Sequence, residues 1–249
     1  LTLIDELRRA NPNEKKLNKN ESIQQTIEEA YSFQMHLVEE ESQNGNPLIG
    51  YKISLTSQET QKLFGAREPL YGALTKDSLV SGGLPLDELS EPLIEVELMF
   101  IVDQDIKVED DEITILNKTR VAPGIEIPDS RFEDWFPNLT LHQIICDRAV
   151  AGKVVVGEPV SGLTINSLKS IKADVRLNHE TIATGYSSEV LGNPVNAVKW
   201  LCQELSKTEQ CIQKGMIISS GTFIMPKRLE RGSYQVNFVG LGEIQFEVY

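Results

Sequence analysis

The sequence predicts an α+β fold, with an α-rich N-terminal part over residues 1–80 packed on a β-rich core over residues 81–249. Three observations carry this. Apolar residues recur at three- and four-residue spacing through the first 45 positions, the period of an amphipathic helix. From about residue 70 the pattern changes to short apolar runs separated by Gly, Pro, Asn and Asp, the punctuation of strands. No internal repeat and no regular alternation of strand and helix is present, so two halves of different character share one body.

The elements follow in order. Leu3, Ile4 and Leu7 begin a first helix, and Asn11-Pro-Asn-Glu-Lys-Lys16 separates it from a second. That second helix carries Ile23, Ile27, Ala30, Tyr31, Gln34, Met35 and Val38 on one face, and Asn44-Gly-Asn-Pro47 ends it. Leu48-Ile-Gly-Tyr-Lys-Ile-Ser54 reads as a strand. Thr56-Ser-Gln-Glu59 has the form of a capping box that opens a short helix to Phe64-Gly65. Strands are predicted at 93–102, 121–127, 152–157, 173–178, 216–219, 234–239 and 243–248, the last two joined by Gly240-Leu-Gly242 as a hairpin. A helix is predicted after Asp129, through part of the segment to about Leu141. Another begins at Asn193-Pro194, a good cap followed by a good first helical residue, and buries Val195, Val198, Leu201, Cys202 and Leu205.

Composition narrows the function. Lys plus Arg number 24 against 37 Asp plus Glu, a net charge of -13, which argues against nucleic acid and anionic membrane surfaces as partners. No run of about 18 apolar residues exists to span a bilayer. The first residues lack the basic-then-apolar order of a secretory signal. Cys146, Cys202 and Cys211 are odd in number and have neither paired nor metal-ligand spacing, so they read as reduced thiols of a cytoplasmic protein. His36, His142 and His179 are scattered, which leaves no zinc spacing.

Three glutamates stand out inside apolar runs. Glu95 and Glu97 lie two apart in Leu93-Ile-Glu-Val-Glu-Leu-Met-Phe-Ile-Val102, and Glu126 lies in Ala122-Pro-Gly-Ile-Glu-Ile-Pro-Asp-Ser-Arg131. Residues i and i+2 of a strand face the same way. On spacing alone two readings stand: the solvated face of a half-buried sheet, or an oxygen-rich site for a hard divalent cation.

The flanking segments resemble those of the fumarylacetoacetate hydrolase superfamily, and most of all its hydratase/decarboxylase branch. Tyr51-Lys-Ile-Ser-Leu-Thr-Ser57 is similar to a family segment that reads Lys, an aliphatic residue, Gly, Leu, Thr, Ser, with Ser54 in place of the Gly. Pro69-Leu-Tyr-Gly-Ala-Leu74, Ile94-Glu-Val-Glu97, Pro123-Gly-Ile-Glu-Ile-Pro-Asp-Ser-Arg131 and Leu191-Gly-Asn-Pro-Val-Asn-Ala197 each resemble a further segment, in the family's order. The resemblance implies a mixed β-roll core, magnesium or manganese held by Glu95, Glu97 and Glu126, and Lys52 beside the substrate. For Lys52 the residues alone also allow a solvated lysine at a strand end.

Departures from the family bear on the reaction. Leu70 stands where hydratases often carry an Asp, a natural proton-transfer group, which tilts the reading toward decarboxylation. In Cys146-Asp-Arg-Ala-Val-Ala-Gly152, Asp147 is kept as a candidate catalytic acid, but Arg148 replaces an Asn and Val150 a Ser. Arg148 reads either as a surface residue or as a planar partner for a second substrate carboxylate. Ser220 and Thr222, in Lys214-Gly-Met-Ile-Ile-Ser-Ser-Gly-Thr222, offer hydroxyls to a substrate carboxylate or form a plain turn; Ser219-Ser220 replace a Leu-Thr. The implied function is a metal-dependent lyase on small anionic 2-oxo-alkenoates of aromatic catabolism, most like 4-oxalocrotonate decarboxylases, with 2-oxopent-4-enoate hydratases as the alternative. An acylpyruvate-type C–C hydrolase and a catalytically impaired keto-acid-binding protein are further alternatives. The resemblance also implies a homo-oligomer and a complex with a partner hydratase.

Overall fold

The computed structural model describes residues 6–7, 10, 16–18 and 26–249. The first predicted helix and the segment that follows it lie largely outside the described residues. Helix α1 (Ile27–Gln43) is opened by a capping box of Thr26 and Glu29 and closed at Asn44. Strand β1 (Leu48–Ser54) has the predicted bounds. Helix α2 (Gln58–Phe64) follows, but its cap is Ser57, whose hydroxyl accepts the Thr60 N–H at 3.1 Å, and not the predicted Thr56. Next come β2 (Leu70–Thr75), β3 (Leu93–Val102), α3 (Glu112–Asn117), β4 (Thr119–Ile127) and α4 (Leu141–Cys146). After these follow β5 (Lys153–Val156), α5 (Ile165–Leu168), β6 (Lys172–Leu177) and β7 (Glu180–Tyr186). Helix α6 (Pro194–Ser206), with Asn193 as its cap, precedes β8 (Ile217–Ser219), β9 (Lys227–Arg228), β10 (Gly232–Phe238) and β11 (Gly242–Val248).

The α+β expectation with a mixed β core holds. One sheet runs β2-β1-β8-β3-β4-β5, with β9 on the open end of β3; β1 and β8 are parallel and every other pairing is antiparallel. A second, antiparallel sheet runs β11-β10-β6-β7. A shared core joins the two, with Phe100, Val121 and Ile125 of the first packed in one cluster with Val175, Val236 and Ile244 of the second. The strands that fall before residue 81 are members of the first sheet, so this part of the chain is woven into the core.

The predicted helix after Asp129 is absent. Residues 128–140 form turns because their polar groups are claimed individually. The Asp129 carboxylate accepts the amides of Ser90 and Glu91, and the Trp135 indole donates to the Glu91 carbonyl at 2.9 Å. Helix α4 starts only at the Thr140 cap. The amide of Gln34, fully buried in α1, ties α1 to β2 and α4: it donates to the Tyr71 and Ile145 carbonyls and accepts the Ala73 N–H at 2.9 Å. This anchors a turn in which Arg148, Ala149 and Val150 all have positive φ, at 53°, 50° and 54°. Three non-glycine residues in the left-handed region in succession need strong support, at about 1–2 kcal/mol each. The turn presses on β2 at Gly72, where a Cβ would stand 1.8 Å from the Arg148 carbonyl oxygen, so only glycine fits.

Candidate metal centre

β3 and β4 build the site through their register. Glu95 lies directly opposite Glu126, and Glu97 opposite Gly124. Alternation along β3 places Glu95 and Glu97 on one face, and cross-strand pairing adds Glu126 to it. One oxygen from each of the three glutamates lies within 4.8 Å of the others. Glu97 and Glu126 are fully buried, while Glu95 opens toward a cavity. Burial excludes the solvated-face reading for Glu97, and the cross-strand Glu126 is enclosed with it.

β1 delivers Lys52 to the same place. Its side chain is 1% exposed and its Nζ lies 3.0 Å from Glu126 Oε1. Burial pulls the ammonium pKa down, but the charges of Glu126, Glu95 and Glu97 outweigh it and hold the pKa above the ordinary value. Fully ionised, three carboxylates and one ammonium would carry two net negative charges, the charge a divalent cation balances. Glu97 Oε1 and Glu126 Oε2 are buried without a hydrogen-bond partner, which leaves donor atoms free for an ion. An all-carboxylate donor set suits a hard cation such as magnesium, manganese or calcium. On this test the residues present fit a divalent ion.

Ser219, which stands in place of a family Leu, shapes the cluster. It is fully buried at the end of β8, its hydroxyl donates to Glu97 Oε2, and the Gly221 N–H reaches the same oxygen at 2.8 Å. Two donors on Oε2 turn Oε1 toward the other glutamates. A polar residue ending the apolar run Ile217-Ile218 is the one signal in the sequence that points to it. Ser219→Ala is expected to weaken manganese binding about 10- to 100-fold, measured by calorimetry, as loss of such supporting bonds does elsewhere. Unchanged affinity would refute this role.

Burial first, and then the charge of Glu126, pushes the Glu97 carboxyl up from 4.5 to about 8, and Glu95 is raised well above its ordinary value by the same two causes. A carboxyl whose folded-state pKa is raised favours folding below its unfolded pKa and loses that contribution as pH climbs through the folded value. Metal-free protein is therefore expected to lose thermal stability between about pH 5 and about pH 8, with saturating manganese restoring it by displacing the protons. Melting curves in chelator and in manganese check this; a metal-free melting temperature that is flat over that range would contradict it.

The other sequence candidates are distributed differently. Thr222 lines the cavity, but its hydroxyl is engaged locally, donating to the Ile224 carbonyl at 2.9 Å. The Ser220 hydroxyl is buried without a partner and is not part of the cavity wall, while its N–H donates to Leu98. Asp147 is fully buried and bonded to the Ser130 hydroxyl at 2.6 Å, the Arg131 amide at 3.0 Å and the Arg131 guanidinium. Those bonds fix the turn that follows β4, and the structure does not bring Asp147 to the cavity. Arg148 is likewise not part of the cavity wall: its guanidinium meets Glu41 at 3.0 Å and Thr75 at 3.3 Å.

The cavity beside the glutamates is tight, with about 40 Å³ of free volume. Its wall combines the polar residues Lys52, Ser54, Thr60, Glu95 and Thr222 with a larger apolar share that includes Phe64, Trp135, Phe136, Ile144 and Val150. A larger groove of about 1160 Å³ includes Gln58, Lys62 and Trp200 but none of the three glutamates.

Comparison with known proteins agrees with this arrangement. No family model matches the chain. It is 31% identical to 2-oxo-hept-4-ene-1,7-dioate hydratase of Escherichia coli over 88% of this chain and 85% of that protein. It is 28% identical to 2-keto-4-pentenoate hydratase of Paraburkholderia xenovorans, over 89% and 83%. Among solved structures, 4-oxalocrotonate decarboxylase of Pseudomonas putida, complexed with magnesium and adipate, superposes with a TM-score of 0.89 at 22% identity over 99% of this chain and 96% of that one. Fumarylpyruvate hydrolase of Pseudomonas aeruginosa, with manganese and pyruvate, gives a TM-score of 0.63 at 14% identity, over 82% and 90%. With the glutamate cluster, the β core and a relative above 30% identity in agreement, the chain belongs to the fumarylacetoacetate hydrolase superfamily, in its hydratase/decarboxylase branch.

Proposed function

We propose that this protein is a magnesium- or manganese-dependent lyase that decarboxylates a small 2-oxo-alkenoate diacid, most like 2-oxo-3-hexenedioate. The observation that carries the reading is the Glu95–Glu97–Glu126 cluster, paired with Lys52 and reaching a mostly apolar cavity through Glu95. Glu95, Glu97 and Glu126 would hold the ion. When bound, it supplies Lewis-acid polarisation of the substrate's carboxylate and 2-oxygen. Lys52 places a further positive charge beside the same end, where negative charge grows as electrons leave the breaking C–C bond through the conjugated chain. The aromatic and aliphatic residues of the cavity wall offer no hydrogen bonds to hold water beside the substrate.

Decarboxylation leads because of what the cavity wall lacks. Among the described residues that line the cavity, only Lys52 and Glu95 are ionisable. Water addition needs a group to move protons at the distal carbon, and Leu70 stands where hydratases of the family often carry an Asp. Hydration of a 2-hydroxydienoate is the second reading, favoured by the curated hydratases that share 28–31% identity with the chain. Homo-oligomerisation, a complex with a partner hydratase and a cytoplasmic location belong to the same proposal. Among the described residues no helix is long and apolar enough to cross a membrane.

An ultraviolet assay of purified protein with magnesium, on 2-oxo-3-hexenedioate and on 2-hydroxypenta-2,4-dienoate, tests the proposal. Faster consumption of the first, with release of carbon dioxide, is expected. Faster consumption of the second would favour hydration, and turnover of neither with intact metal binding would sink the lyase reading.

A further inference from the structure

Lys52 has three N–H donors and no acceptor. Three oxygens meet them: Glu126 Oε1 at 3.0 Å, the Ala149 carbonyl at 2.9 Å and Ser54 Oγ at 2.6 Å. The ammonium group that the sequence placed against substrate is thus enclosed by protein. Ser54 is the outermost of the three, because its side chain forms part of the cavity wall. A hydroxyl carries one hydrogen and two lone pairs. With a Lys52 N–H on one lone pair, Ser54 directs its own hydrogen elsewhere. No acceptor among the described residues takes it.

Donation from an ammonium group polarises the hydroxyl and strengthens it as a donor. We propose that Ser54 is a substrate-contact residue whose Lys52-polarised hydroxyl donates a hydrogen bond to an oxygen of the bound 2-oxo acid. This rests on the lyase reading above and adds to it a specific residue of this chain. Relatives with Gly at this position have no such group. The neighbourhood of Ser54 shows what it replaces. Its register partner across β1 and β2 is Leu70, and Val150 lines the same cavity. Leu70 stands where hydratases of the family often carry a carboxyl, and Val150 where the family tends to carry a hydroxyl. Ser54 supplies a hydroxyl from β1 to the cavity wall that Val150 leaves apolar.

The test uses the manganese-loaded protein and 2-oxopentanoate, a saturated 2-oxo acid with no double bond to react. Titration calorimetry reads manganese affinity first and acid affinity second, on wild type, Ser54→Ala, Ser54→Thr and the double variant Ser54→Gly with Val150→Ser. Ser54→Ala is expected to bind the acid about 10- to 100-fold more weakly, the worth of one hydrogen bond to a charged group, with manganese affinity unchanged. Ser54→Thr keeps the hydroxyl and is expected to keep the affinity. The double variant moves the hydroxyl back to position 150 and is expected to recover most of it. Acid affinity unchanged in Ser54→Ala overturns the proposal. So does a matching loss of manganese affinity, which would mean that Ser54 acts only through the metal cluster. Failure of wild type to bind the acid with manganese in place contradicts the lyase reading itself and removes this contact with it.

Discussion

Glu126→Gln is expected to abolish both divalent-ion binding and turnover while leaving the protein folded. Gln has nearly the same shape, so the packing between β3 and β4 is preserved. The charge is not. With Glu126 neutral, Glu95, Glu97 and Lys52 together leave one negative charge, half of what a divalent cation balances. With its carbonyl oxygen kept toward the Lys52 ammonium, which lies 3.0 Å from Oε1 in the parent, the substituted amide turns its NH2 donor toward the cluster, where the ion needs an oxygen. Manganese affinity is expected to fall more than about 100-fold, and kcat about a thousandfold or more, since the Lewis acid is lost with the ion. Glu95→Gln is expected to act in the same direction. Calorimetry with manganese and the ultraviolet assay read the two effects; full activity in either variant would refute the proposed site.

Lys52→Met has the second largest expected effect, and its two arms move in opposite directions. Met follows the length of the lysine stem without its charge. Glu126 then loses its ion pair, the Ala149 carbonyl its donor and Ser54 its partner. Removing one partner of a buried pair costs about 3–5 kcal/mol, so the metal-free variant is expected to unfold at markedly lower urea. The carboxylate cluster becomes more negative, so manganese is expected to bind at least as tightly as in the parent. Turnover nevertheless falls about 100- to 1000-fold, because a fixed positive charge is missing where negative charge develops. Tighter metal with slower chemistry separates Lys52 from the ligands themselves. Parallel loss of both would make Lys52 a support of the metal site and not a participant in the reaction.

Much of this site is legible in the sequence, for identifiable reasons. β1 and β3 appear with their predicted bounds because each is a continuous apolar run closed by turn residues. α6 is read from Asn193-Pro194 and from its five predicted apolar positions, all of which are buried. The three glutamates are readable because a carboxylate inside such a run has few ways to be satisfied. The failures share a cause. Arg148 is taken by Glu41, 107 residues away in the chain, and Asp147 by Ser130 and Arg131. Local spacing does not encode which distant side chain claims a charged group. The segment after Asp129 has helix-compatible residues, but tertiary bonds to Ser90 and Glu91 override the local preference. The sequence does not mark β7, because Glu180-Thr-Ile-Ala-Thr-Gly-Tyr186 lies at a sheet edge, largely exposed, with little apolar alternation.

The central claim is that one divalent ion, held by Glu95, Glu97 and Glu126, is what makes this chain a lyase. The most direct measurement is the rate of 2-oxo-3-hexenedioate consumption as chelator-stripped protein is titrated with manganese. The account predicts no turnover before addition, a rise that tracks occupancy of a single site per chain, and saturation at that stoichiometry. Turnover by the stripped protein, or full site occupancy without turnover of this acid or of 2-hydroxypenta-2,4-dienoate, would contradict it.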